Sequence, residues 1–128
     1  MADRTWFTYI SCVEFLEASA FTREVYRYLH EDGLRELQAR LATDPRAGTV
    51  IQGTGGFRKV RVEDPRRGKG RRGGIRVIYY HFEKDALIWM VTLYDKGEAA
   101  DLTASQKKAM RTAIEREKAA RRARRDRH

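Results

Sequence analysis

The spacing of apolar residues in the first third of the chain predicts one strand followed by two helices. Residues 9–18 alternate weakly between polar and apolar side chains, which favours a strand. Apolar residues then recur at helical spacing from Phe21 to Leu29, with Ser19 as the predicted N-cap. A second stripe, made of three leucines, ends before Pro45 because proline cannot continue a helix. The short link between the two stripes predicts an antiparallel helical hairpin.

Three strands are predicted in the middle of the chain. Residues 48–56 are rich in glycine and are interpreted as a loop, after which residues 57–62 alternate as a strand. Residues 74–82 form a second predicted strand, and a tight turn at residues 84–85 separates it from a third. That third strand, residues 86–94, is continuously apolar, which is typical of a central strand covered on both faces.

The last predicted element is a helix that begins at a capping box. Thr103 and Gln106 have the residue types and the spacing of that motif, and an apolar stripe continues to Ile114. From Glu115 onward charge replaces the stripe, so we expect this end of the helix either to fray or to await a partner. The order of elements predicts an α+β fold, a mostly antiparallel sheet with an N-terminal helical hairpin and a C-terminal helix.

Length and composition indicate one globular domain. The 128 residues fit a single domain with a core at roughly residues 9–117 and a basic tail at residues 118–128. The single cysteine, Cys12, excludes an intramolecular disulfide and agrees with a reducing compartment. No apolar run reaches the length of a membrane span, and the start does not resemble a signal peptide. We therefore expect a cytoplasmic protein with no membrane partner.

The distribution of charge narrows the class of partner. The net charge is +9, and the positive charge is concentrated in two segments. Residues 58–76 hold nine basic and two acidic residues, and residues 107–128 hold ten basic and three acidic residues. Such segments favour a polyanion as the partner. For the second segment alone, a basic tail that only aids solubility is an equal alternative.

Three basic residues on two predicted strands form the main candidate site. Strand alternation puts Lys59 and Arg61 on one face, and Arg76 lies on the next strand along the chain. If the two strands pair, the three cations share one patch. Like charges at close range repel, so the patch is best explained by a phosphate that neutralises it. The alternative is that each long side chain simply extends into water.

Such a patch suits RNA cleavage, because RNA carries its own nucleophile in the 2′-hydroxyl group. Arginines can stabilise the charge that develops on the phosphate, and a lysine can transfer protons. No cofactor is expected, since the chain has no acidic cluster or Cys/His set with metal-ligand spacing. His81 falls on the strand face opposite Arg76 and is interpreted as a packed or edge residue.

Further RNA contacts are predicted around a basic loop and at the end of the last strand. Residues 68–73 match a dinucleotide-binding pattern, but a strand follows them instead of a helix, so a flexible basic loop fits better. The predicted RNA-binding residues are Arg58, Arg66, Arg67, Lys69, Arg71, Arg72 and Tyr94.

Three stretches in this order resemble a known family. Residues 50–61, residues 68–80 and the stretch 93–98 with Asp101 and Thr103 look like the HigB toxins of the RelE/ParE superfamily. The resemblance implies a RelE-like fold and an mRNA interferase that cuts messages in the ribosomal decoding site. It also implies a HigA-like antitoxin that silences the enzyme and represses the shared operon.

The resemblance also implies a set of catalytic residues. The two basic residues of one strand and the arginine of the next map onto Lys59, Arg61 and Arg76, and a third group maps onto the turn at Lys96. Two departures are visible, because Gly97 stands where RelE-type enzymes have an arginine and no tyrosine is found near residues 102–103. Lys96, Tyr94 or an arginine of the basic loop could supply the missing group.

Two other functions remain open at the level of the sequence. The same superfamily contains ParE-like inhibitors of DNA gyrase, which need a protein-binding surface and no phosphate-cleaving site. The spacing of Lys59, Arg61 and Arg76 argues against that reading. A non-catalytic RNA-binding module would show salt-dependent binding of RNA without a cut product.

Overall fold

A five-stranded sheet with helices on both faces forms the described part of this computed structural model, residues 13–63, 74–95 and 101–127. The elements in chain order are β1 (Glu14–Glu17), α1 (Ser19–Tyr28), α2 (Glu31–Thr43), β2 (Thr49–Val50), β3 (Arg58–Val62), β4 (Ile75–Phe82), a 3-10 turn (Glu83–Asp85), β5 (Leu87–Asp95) and α3 (Ala104–Asp126). The strand order is β1-β5-β4-β3-β2. Only β1 and β5 pair in parallel, so the predicted mostly antiparallel α+β architecture is confirmed.

Each face of the sheet carries its own hydrophobic cluster. On the hairpin face, covered by α1 and α2, Val60 and Val77 of the sheet share a cluster with Phe21 of α1. On the α3 face, Phe57 and Ile78 share a cluster with Ile114 of α3. Alternation of side chains along β3 and β4 produces this division. Burial of such a side chain contributes about 1.5–3 kcal/mol to folding.

The two N-terminal helices have the predicted positions but differ at one cap. Helix α1 already includes Ser19, and the N-cap position belongs to Ala18 without a side-chain hydrogen bond, so the predicted Ser19 cap is wrong by one residue. Burial of Phe21 and Val25 in the hairpin-face cluster therefore positions this helix start without a cap. Helix α2 carries two acidic residues in its first turn, which favours that end of the helix dipole.

Helix α3 begins as predicted and ends much later than predicted. The capping box is present, since the Gln106 amide donates to Thr103 Oγ1 at 3.1 Å and the Thr103 amide donates to Gln106 Oε1 at 2.8 Å. The helix then continues to Asp126, so the expected fraying after Glu115 is wrong. Ion pairs from Arg121 and Arg125 in its last turns to Asp85 explain why the helix continues past Glu115. No described helix has both the length and the apolar character needed to cross a membrane.

The sequence pattern did not predict the conformation of two short segments. Residues Thr49 and Val50 of the predicted glycine-rich loop form β2, which pairs with Lys59 and Arg58 of β3. The predicted tight turn between β4 and β5 is a 3-10 turn, closed by Ala86 with a φ of 49°. The two-residue strand leaves the outer edge of β3 open beyond Lys59, within the part of the chain that the structure describes.

Candidate active site

Strand pairing brings the three predicted catalytic cations of the described chain together. Arg61 of β3 lies directly opposite Arg76 of β4, and Lys59 lies opposite Ile78 on the same face. Arg76 is in turn opposite Tyr94 of β5. Lys59, Arg61 and Arg76, called the cationic patch below, therefore share the α3 face, with Tyr94 beside them.

The pairing geometry brings the two arginines especially close. Arg40 of α2 donates a hydrogen bond of 3.3 Å to the carbonyl oxygen of Arg61, which therefore points to the open edge of β3 and away from β4. Arg61 and Arg76 therefore form a non-hydrogen-bonded antiparallel pair. The Cα atoms of such a pair are about 4.5 Å apart, closer than those of a hydrogen-bonded pair. Gly74, with a φ of 65°, lies under the Arg61 side chain, where an added Cβ would be 3.5 Å from Arg61 Nε. The missing side chain leaves this space to the guanidinium stem.

The patch is accessible, and two of its three cations have no carboxylate partner among the described residues. Arg61 is exposed, and Lys59 and Arg76 are half-buried. Among the described residues, no carboxylate forms an ion pair with Lys59 or Arg61. Lys59 and Arg61 are therefore suited to hold an anion on the firm surface of the sheet.

Tyr94 adds a neutral hydrogen-bond donor at the border of the patch. Burial and the nearby Asp101 carboxylate raise the pKa of Tyr94, and the positive charge of Arg76 opposes them. The phenol therefore stays protonated at neutral pH and can donate its proton in a hydrogen bond. Tyr94, Leu102 just before α3 and Met110 of α3 all pack against the hydrophobic cluster of the α3 face.

Arg58, predicted to bind RNA, lies apart from the patch. It projects on the hairpin face, where its guanidinium donates to the carbonyl oxygens of Gly48 at 2.7 Å and Arg46 at 3.4 Å. Beside it, the buried Tyr79 donates to the Pro45 carbonyl at 2.7 Å. These bonds hold the chain between α2 and β2, which gives Arg58 a structural task on the other side of the sheet from Lys59.

His81 also lies on the hairpin face, as the alternation of β4 predicts. It is half-buried, and burial is the main cause that lowers the pKa of His81, helped by the positive charges of Arg46 and Arg58 and opposed by Glu83. The imidazole is therefore mostly neutral at neutral pH. Because His81 and Arg76 project on opposite faces of β4, His81 is not part of the cationic patch.

Several predicted site residues lie outside the described residues: Arg66, Arg67, Lys69, Arg71, Arg72 and Lys96. Their roles stay predictions. Within residues 13–63, 74–95 and 101–127, no three His, Cys, Asp or Glu side chains are arranged to hold a metal ion.

The structure adds two basic residues that the sequence analysis did not single out. Lys107 and Arg111 of α3 contact the glycine-rich loop that precedes β3. An added Cβ at Gly53 would lie 3.7 Å from Lys107 Cδ, and one at Gly55 would lie 3.1 Å from Arg111 Cγ. The i, i+4 spacing of the two cations is visible in the sequence, but their contact with a loop about fifty residues earlier is not.

Comparison with known proteins identifies the fold. No family model matches the chain. Among solved structures, the chain is similar to a free-state variant of the E. coli toxin RelE with two arginine-to-alanine substitutions, at 12% sequence identity and a TM-score of 0.50, over 68% of this chain and 86% of that one. It is also similar to a chain of the intact E. coli RelBE toxin–antitoxin complex, at 15% identity and a TM-score of 0.49, over 65% of this chain and 95% of that one. The chain has a RelE-like fold.

Proposed function

We propose that this protein is a HigB-like toxin of a toxin–antitoxin pair and an endoribonuclease that cuts mRNA on the ribosome. The RelE-like fold supports the toxin class, because a similar structure belongs to the E. coli toxin RelE. The observation that carries the proposal is the cationic patch, in which Arg61 faces Arg76 and Lys59 lies on the same side.

The energetics of the patch favour a bound phosphate over a purely structural role. Two like unit charges about 5 Å apart repel by about 3 kcal/mol at the effective dielectric constant of a protein surface. A structural cluster would offset this repulsion with carboxylates, and none of the described residues provides one for Lys59 or Arg61. A phosphate between the side chains turns the repulsion into attraction.

The chemistry that follows is a transfer of the phosphate within the RNA. The 2′-oxygen attacks the neighbouring phosphorus, a new P–O bond forms, and the bond to the 5′-oxygen of the next nucleotide breaks. In this proposal Lys59 takes the proton of the 2′-hydroxyl, and a second donor returns a proton to the 5′-oxygen. Arg61 and Arg76 donate to the non-bridging oxygens as negative charge grows. Tyr94 donates a further hydrogen bond.

This mechanism requires no cofactor, because the substrate supplies its own nucleophile and the arginines supply the positive charge. Lys96 remains the proposed alternative to Lys59 as a proton carrier, and the arginines and lysine of the 66–72 loop are proposed to hold the RNA strand. The partners that follow from this function are mRNA on the ribosome and a HigA-like antitoxin. Translation places the proposed reaction in the cytoplasm.

Induced expression in bacteria tests the proposal. Wild-type protein should arrest growth, and mapping of mRNA 5′ ends should find cuts inside translated codons. Lys59→Ala and Arg76→Ala should abolish both effects, because they remove the proton carrier and a phosphate donor. Arg35→Ala is the matched control, since Arg35 is an exposed cation of α2 that pairs with Glu31 and should not affect cutting.

Two outcomes of this experiment would contradict the proposal. If both patch variants accumulate to the wild-type level and still yield cut mRNA, the cationic patch is not the active site. If wild-type protein arrests growth while the map of 5′ ends stays unchanged, the protein is not an mRNA endoribonuclease.

A further inference from the structure

The loop between β2 and β3 has an unusual run of backbone conformations. Gly53, Gly55 and Gly56 have φ values of 86°, 83° and 117°, all in the region that favours glycine. The buried Thr54 holds the loop from inside, since its hydroxyl donates to the Ile51 carbonyl at 2.7 Å and accepts from the Phe57 amide at 3.2 Å. The Thr54 amide also donates to the Ile51 carbonyl at 3.3 Å, whereas the amides of Gly53 and Gly55 have no hydrogen-bond acceptor within the described chain.

Two cations of α3 lie against this loop. The stems of Lys107 and Arg111 pass over Gly53 and Gly55, at the close distances given above. Neither cation forms an ion pair with a described carboxylate, and residues 51–57 contain no acidic side chain. Lys107 lies just after the first turn of α3, which has no acidic residue and where the helix dipole disfavours a cation by about 0.3–1 kcal/mol. Helix stability therefore does not explain the positive charge at this position.

The loop continues directly into the strand that carries the cationic patch. The α3 face of this strand carries, in order, Phe57, Lys59 and Arg61. Successive members of this row are about 7 Å apart along the strand. An extended strand of RNA with one phosphate at the patch can therefore reach the loop with a neighbouring phosphate. The two sites would grip the same backbone on one side of the scissile bond.

We propose that the loop Gly53–Gly56, together with Lys107 and Arg111, is a second phosphate-binding site that positions the RNA. The backbone amides of Gly53 and Gly55 can donate to a phosphate oxygen, and the two cations beside them add positive charge to the site. The choice of RNA as the ligand rests on the proposed function. Lys107 and Arg111 act as positioning residues and do not touch the reacting atoms.

Binding of an uncleavable RNA tests the site separately from catalysis. The probe is a fluorescein-labelled single-stranded RNA of 12 nucleotides in which every 2′-hydroxyl is methylated, so that no nucleophile remains. The test variant is Lys107→Gln/Arg111→Gln, which removes two charges and keeps the stems that pack on the glycines. The control is Lys108→Gln/Arg116→Gln, which removes two exposed charges of the same helix that have no described ion pair.

Anisotropy titrations at several salt concentrations should separate the two variants. Each lost contact with a single-stranded phosphate lowers the slope of log affinity against log salt by about 0.7, so the test variant should lose about 1.4. Its affinity at low salt should fall roughly five- to tenfold, and the control should retain the wild-type slope. Equal changes in both variants would show that only the total charge of α3 matters, which would overturn the proposal.

Cleavage on programmed ribosomes supplies the second readout. At saturating protein, the test variant should cut within about twofold of the wild-type rate, but the concentration needed for half of that rate should rise. A lost rate at saturation with unchanged half-saturation would also overturn the positioning role. If wild-type protein binds the methylated RNA with the expected slope but never cuts its unmodified form on ribosomes, the proposed function fails and the phosphate site stands.

Discussion

The α3 face of the sheet has a group of basic residues at each end, and the two groups have opposite surroundings. At one end, Lys59 and Arg61 of the cationic patch have no carboxylate partner among the described residues. At the other end, Arg125 and Arg121 donate to the two oxygens of Asp85 at 2.9 and 3.2 Å. These last three residues are called the arginine anchor below.

The arginine anchor has the marks of a structural group. The Arg121 Cζ atom lies 4.3 Å from the centre of the Phe82 ring, and Arg121 Nε lies 2.8 Å from a Glu117 carboxylate oxygen. Burial acts to raise the pKa of Asp85, but hydrogen bonds from Arg125 and Arg121 outweigh it and lower that pKa. Arginines matched by carboxylates thus join α3 to the turn between β4 and β5, whereas Lys59 and Arg61 of the patch have no carboxylate partner among the described residues.

The largest expected effect separates activity from stability at the patch. Arg76→Ala should lower the rate of mRNA cleavage about 10²–10³-fold, the typical cost of losing one donor to a developing negative charge. Its melting temperature should change little, because the loss of repulsion between Arg76 and Arg61 offsets the interactions that Arg76 loses. Thermal unfolding and a cleavage assay on programmed ribosomes measure the two quantities. A fall in melting temperature that accounts for the lost activity would show that Arg76 is structural.

The second-largest effect is expected at the arginine anchor, where a substitution should lower stability and leave activity nearly unchanged. Asp85→Asn should lower the free energy of unfolding by about 1–2 kcal/mol, because it weakens two charge-assisted hydrogen bonds. Cleavage at 25 °C should remain within about twofold of wild type, since no anchor residue touches the proposed substrate. Urea denaturation compares this variant with Asp32→Asn, whose carboxylate pairs with Arg35 and is exposed. Equal stability of the two variants would contradict a structural anchor.

A smaller effect is expected at the tyrosine beside the patch. Tyr94→Phe should lower the cleavage rate about fivefold, equivalent to about 1 kcal/mol for one hydrogen bond, with little change in stability. Because the pKa of Tyr94 is raised, the ratio of wild-type to variant rates should be constant from about pH 6 to about pH 9. A ratio that changes steeply in that interval would mean that the phenol transfers a proton.

The smallest effect is the pH dependence of the anchor. Since the pKa of Asp85 is lowered in the folded chain, its contribution to stability is present above the unfolded pKa and is lost as the pH falls through the folded value. The difference in melting temperature between wild type and Asp85→Asn should therefore narrow as the pH falls below about 5. A difference that widened on acidification would assign the anchor to another group.

Much of the fold and part of the site could be predicted from local pattern. The two N-terminal helices, the three long strands and the capping box at Thr103 follow from periodicity and residue type. The shared face of Lys59 and Arg61 follows as well, since alternate residues of any strand point to the same side. The distance between Arg61 and Arg76 did not follow, because only the register of β3 against β4 places them opposite each other.

The sequence by itself therefore determined the kinds of elements, their order and the face on which each strand residue projects. These depend on backbone geometry that repeats every two or 3.6 residues. Tertiary structure alone decided that Arg58 supports a loop, that α3 continues to Asp126 and that its arginines meet Asp85. Such outcomes depend on contacts between segments far apart in the chain, whose energies local propensity does not contain.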